Sequence, residues 1–141
     1  MPLRKPLLAL AAGLAAAGTA AAAPLTVTVT GIEARGGTFY IGVQTEAQFM
    51  KQNGVAGEII QAPEAGARTF TFDLPEGTYS VSVWHDFNGN GVFDLAGDGR
   101  PVDGWGTIQG ETLRAPPTFS QVSVTLPSSG TSATVKTVYP Q

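Results

Sequence analysis

The run Leu25-Thr-Val-Thr-Val-Thr30 alternates without a break between apolar and hydroxyl side chains. A period of two sets Leu25, Val27 and Val29 on one side of an extended chain and the threonines on the other, the pattern of a half-buried strand. The pattern recurs along the chain. Thr38 to Gln44 turns Phe39, Ile41 and Val43 inward, Arg68 to Asp73 turns Phe70 and Phe72, and Thr78 to His85 turns Tyr79, Val81 and Val83. Phe119 to Leu126 does so with Val122 and Val124, and Ser132 to Tyr139 with Val135, while Glu58 to Gln61 reads as a weak edge strand. Leu74-Pro75-Glu76-Gly77 has proline and glycine where a tight turn uses them, which predicts a hairpin between its flanking strands. Thr45 with Gln48 predicts a capped helix of one to two turns, ended by Asn53-Gly54, with Phe49 and Met50 on its core side. The expected fold is all-β, an antiparallel Greek-key β-sandwich of about seven strands with one short helix and a long Asp/Asn/Gly-rich loop.

Arg4 and Lys5 precede an apolar run from Leu7 to Ala17, and Ala20 to Ala23 offers small residues for cleavage. The expected products are a signal peptide over 1–22 and a single domain over 23–141, periplasmic or secreted; an uncleaved anchor helix is the alternative. Cleavage removes two basic residues and leaves six against eleven acidic ones, a net charge of −5. Such a surface repels phosphate backbones and anionic lipid, so neither nucleic acid nor a charged membrane surface is an expected partner. The chain has no cysteine. An exported domain of this kind has no disulfide, thiolate metal site or cysteine nucleophile, and its stability rests on packing.

Residues 86–117 show almost no periodicity, and a segment of that length inside one domain calls for a local organiser. Asp86, Asn88 and Asn90 alternate, Gly91 follows, and Asp94 is ninth: a D-x-N-x-N-G spacing that turns oxygens inward around a hard cation. The expected ligands are Asp86, Asn88, Asn90, the carbonyl of Val92, Asp94 and Asp98, with Asp103 able to reach back. Position twelve is Gly97 rather than a bidentate glutamate, so Ca²⁺ is expected to bind weakly, at about 10⁻⁴–10⁻³ M. An Asx-rich turn that satisfies only its own backbone is the other reading.

His85, the one histidine, falls on the core side by the parity of its strand and is expected to be hydrogen-bonded there. Trp84 alternates outward and, beside Phe87, is a candidate contact patch, while Trp105 between two glycines reads as a plug over the end of the sandwich. His85, Trp84, Phe87, Asp103 and Trp105 form the expected binding surface. No nucleophile elbow or phosphate loop is present.

Leu74-Pro-x-Gly-x-Tyr79, His85-Asp-x-Asn-Gly-Asn-Gly-x-x-Asp94 and Gly99-x-Pro-x-Asp-Gly-Trp-Gly106 together resemble the bacterial exported family known as domain of unknown function 2141. The similarity runs from Leu25 to Tyr139. It implies an extracytoplasmic sandwich of the prealbumin-like kind with no assigned activity. Thr107-Ile108-Gln109 departs from that family's pattern, an aromatic residue followed by serine and asparagine. The expected function is an exported, non-enzymatic module whose ion-ordered loop presents a surface to a protein or glycan of the cell envelope. A hydrolase or lyase using His85 with Asp86 or Asp94, or a structural envelope protein without ligand, are the alternatives.

Overall fold

The computed structural model describes residues 21–140, so the predicted leader lies outside the described residues except for Ala21 and Ala22. Eight strands follow in order: β1 (Ala22–Ile32), β2 (Thr38–Gln44), β3 (Ala56–Gln61), β4 (Gly66–Pro75), β5 (Gly77–Asp86), β6 (Gly104–Thr107), β7 (Ser123–Leu126) and β8 (Thr131–Lys136). They form two sheets, β4-β1-β8 and β3-β2-β5-β6, with β7 pairing the first residues of β5. The inward residues predicted from alternation are all buried except Val124, which is partly so; Val122 is buried from a 3₁₀ turn, Phe119–Val122, where strand was predicted, and Leu25, Val27, Val29, Phe39, Val43, Val81 and Val135 have no exposed surface. Among the described residues no helix is long and apolar enough to cross a membrane.

Three further local expectations are corrected. The hairpin predicted around Pro75-Glu76-Gly77 does not form: β4 pairs β1 in one sheet, and β5 pairs β2, β6 and β7 in the other. The chain crosses between sheets at that corner. The Tyr79 hydroxyl fastens it by donating to the Pro75 carbonyl at 2.7 Å, and the Tyr79 ring packs beneath Gly77. A turn motif states that the chain reverses; whether the second strand stays in the first sheet depends on which edge is free.

The predicted helix after Thr45 is only a three-residue 3₁₀ turn, Glu46–Gln48. Gln48 Oε1 accepts from the Thr45 N–H as foreseen, but Met50 takes a left-handed φ of 65° and points into solvent. The Gln44 amide donates to the carbonyls of Lys51 and Asn53, holding this segment as a loop where a second helical turn was expected. Phe49, half-buried, meets Phe119 edge-on at 5.5 Å. Third, β8 runs parallel to β1, from Leu25↔Thr131 to Thr30↔Lys136, within an otherwise antiparallel sandwich.

β6 was hidden in the aperiodic stretch because its inward positions are glycines. Gly106 lies so close to β8 that a Cβ there would overlap the Lys136 carbonyl, and a Cβ on Gly104 would sit 2.6 Å from the Tyr139 ring. The bare backbone on that side lets Trp105 exchange hydrogen bonds with Val138 at 2.9 and 2.6 Å, tying the two sheets together. Gly106→Ala meets rigid backbone and is expected to destabilise the domain by about 1–3 kcal/mol, the usual cost of overpacking, read as a lower denaturation midpoint at unchanged slope.

Candidate functional site

Adjacent residues at the end of β5 face opposite ways, and this divides the site. Val81, Val83 and His85 point into the core; Ser82, Trp84 and Asp86 point to the outer face of the sheet. His85 is fully buried. Its Nε2 lies 2.7 Å from the Gly36 carbonyl, which can only accept, so this nitrogen carries the proton. Nδ1 then accepts from the Tyr139 hydroxyl at 2.6 Å, and that hydroxyl accepts from the Glu33 N–H at 3.0 Å. The chain is closed at every link. Gly37 lets the β1–β2 turn reach this network, since any side chain there would overlap the Asp86 carbonyl.

Phe87 joins this inner cluster and stands apart from Trp84. Its ring lies 5.8 Å from His85 and 6.1 Å from Tyr139, and the Arg35 guanidinium covers both Phe87 and Tyr139 at 4.9 and 4.6 Å. The predicted patch of Trp84 with Phe87 therefore does not form.

On the outer face Trp84 stacks on Tyr40 of β2 at 4.8 Å and meets Phe93 edge-on at 6.2 Å. Trp105 pairs with Trp84 across the β5–β6 ladder and extends beneath Gly110. It lies on this outer face, not over the end of the core as predicted, because its glycine neighbours take the inward positions. Asp86 follows and Asp103 precedes the last registered pair, His85↔Gly104, so the register sets the two residues across from each other at the end of the ladder. Both are buried, at 2% and 1% exposure. Asp103 Oδ2 accepts from the Trp84 indole N–H at 2.7 Å and from the Asp94 N–H at 3.2 Å, while Asp86 Oδ2 accepts from the Gly91 N–H at 2.8 Å.

The loop between them folds as a tight coil and then a small hairpin. Gly91 has the predicted turn conformation, with a φ of 74°. Asn88 Oδ1 accepts from the Asn90 N–H and Asn90 Oδ1 from the Val92 N–H, while both amide groups donate to Asp94 Oδ2 at 3.0 and 2.7 Å. Leu95 then bridges Pro101, and Ala96 N–H donates to the Arg100 carbonyl. Of the predicted ligands, Asp86, Asn88, Asn90 and Asp94 are drawn together around this coil. Asp98 is drawn away: the Arg100 N–H and then its guanidinium bond the Asp98 carboxylate and hold it below the usual carboxylate range. The side chains of Val92, Phe93 and Leu95 face solvent at 58%, 43% and 58% exposure, a crest that the polar composition of the segment conceals.

A family model described as "Uncharacterized protein conserved in bacteria (DUF2141)" matches residues 27–134. The chain belongs to that family. No curated protein and no solved structure matches the chain. The DUF2141 match spans the whole loop with β2 to β7, and stops short of Val135 and Tyr139, so the hydroxyl that completes the His85 network comes from beyond it.

Burial lifts the Tyr139 phenol above its ordinary range, opposed by the Glu33 N–H it accepts and reinforced by the Glu33 carboxylate. The fold thus prefers the neutral phenol. Its contribution is fully present below the unfolded value near pH 10 and is lost as pH rises through the raised folded value. Tyr139→Phe strands His85 Nδ1 without a donor and is expected to cost about 1–3 kcal/mol at pH 7. Chemical denaturation at pH 7 and above pH 10 checks both effects, the variant losing less of its remaining stability on the alkaline side.

Proposed function

We propose that this chain is an exported, non-enzymatic β-sandwich module whose crest, Val92, Phe93 and Leu95 beside Trp84 and Tyr40, docks a protein partner of the cell envelope. The supporting observation is a cluster of exposed apolar residues on the internally bonded β5–β6 loop. Asn88, Asn90 and Asp94 bond one another and the loop backbone, while three large apolar residues within four positions face water. Single exposed apolar residues are ordinary; a group of them on a well-ordered loop next to half-buried aromatics has the character of an interaction surface.

A protein suits this surface better than a glycan. Sugar rings stack on free aromatic faces, whereas Tyr40 and Trp84 stack on each other, with planes 15° apart. Branched aliphatic side chains such as Val92 and Leu95 fill protein pockets. Against the alternative of a His85-dependent hydrolase stands the placement of its base. That ring is sealed from solvent with both nitrogens engaged, and Asp86 points to the opposite face of the sheet.

A photo-crosslinking amino acid at position 92 or 95, in the bacterium that makes the protein, tests the reading. One discrete protein adduct is expected from both positions and none from position 71 on the exposed side of β4. No adduct, equal labelling from position 71, or attachment to cell-wall glycan overturns it. In the purified protein, Val92→Ser and Leu95→Ser are expected to change stability by less than about 0.5 kcal/mol, since both side chains are exposed. N-terminal sequencing of the exported form is expected to begin at Ala23.

A further inference from the structure

We infer that Asp86 and Asp103 form a binding site for a hard divalent cation, Ca²⁺ in kind, enclosed beneath the β5–β6 loop. This deepens the reading of the same loop, because the ion would fix the shape of the crest. Asp86 Oδ1 and Asp103 Oδ1 are both cut off from solvent, and neither accepts a hydrogen bond from any group of the described chain. A buried carboxylate oxygen without a donor is costly, and two such oxygens on facing residues are costlier, because the charges repel.

Among the described residues no basic side chain pairs with them. The ion pairs among the described residues are Arg35 with Glu33 and Arg100 with Asp98, both at the surface. The companion oxygens are already oriented, Oδ2 of Asp86 by Gly91 and Oδ2 of Asp103 by Trp84 and Asp94, which leaves the two Oδ1 atoms as the unused acceptors. Among the described residues no three of His, Cys, Asp and Glu converge on one point. A hard cation at the pair would therefore complete its shell with backbone carbonyls and water. The site differs from the ring read from the sequence. Asp98 is excluded, Asp103 becomes a principal ligand, and the oxygens of Asn88 and Asn90 close backbone turns.

The test uses the isolated protein with metal alone, so its failure is distinct from failure of the docking reading, which the crosslinking decides. A saturable rise in melting temperature with Ca²⁺ is expected, on the order of 5–10 °C at about 10 mM ion, reversed by EDTA. Asp86→Asn and Asp103→Asn, which keep shape and supply an N–H, are expected to abolish the rise; Asp98→Asn is expected to keep it. Should either variant fail to fold, terbium(III) gives a second measurement on the native chain. Bound at the pair it lies beside Trp84, and tryptophan-sensitised luminescence displaced by Ca²⁺ is the expected result. A flat response to both ions, or a Ca²⁺ response that survives Asp103→Asn, overturns the site. So does stabilisation by acid alone with no metal effect.

Discussion

The functional end of this molecule depends on the two-residue alternation of β5. A strand turns neighbouring side chains to opposite faces of its sheet, so the His85-Asp86 pair, adjacent in sequence, is split by the whole thickness of the sheet. His85 enters the core and is closed into a chain with Tyr139, Glu33 and Gly36. Asp86 enters the space under the loop and receives the Gly91 N–H. A dipeptide that suggests acid–base chemistry is, in the fold, two separate anchors. One joins the carboxyl-terminal segment to the β1–β2 turn, and the other organises the loop.

The loop solves the problem that its length creates. An irregular segment in a small domain without disulfides must offset the entropy of its ordering with local bonds. Here the asparagines satisfy backbone N–H groups, their amides converge on Asp94, and the buried carboxylates of Asp86 and Asp103 hold the backbone from below. Most of the loop's Asp and Asn side chains are thereby engaged by the loop itself. Val92, Phe93 and Leu95 are left facing solvent beside them. The proposed docking crest and the proposed cation site are two consequences of one arrangement, the first above the loop and the second beneath it.

The core was legible because burial follows parity wherever an apolar residue marks every second position, as in β1, β2, β4 and β5. The residues that escaped this reading lie where glycine or geometry carries the information. β6 has glycine at both inward positions, so its strand pattern has no apolar mark, and only the approach of Lys136 and Tyr139 reveals why the glycines are there. Phe87 was paired with Trp84 from proximity in sequence, but the end of β5 sends one inward to Arg35 and Tyr139 and the other outward to Tyr40. The D-x-N-x-N-G spacing correctly gave the turn at Gly91, a local matter of backbone conformation. The importance of Asp103 was not local, since it faces Asp86 only through the registration of β5 with β6.

By itself the sequence determined what period and local chemistry can determine: strands with one apolar side, a sandwich to bury them, a histidine on the core side, and a turn-rich loop that must be internally bonded. These follow because alternation and Asx turns act over a few residues and need no distant partner. The tertiary structure alone decided the rest: the crossing between sheets at Pro75, the parallel pairing of β1 with β8, the meeting of Asp86 with Asp103, and the apolar crest. Each depends on which segments share an edge or a face, and that is set by the packing of the whole chain.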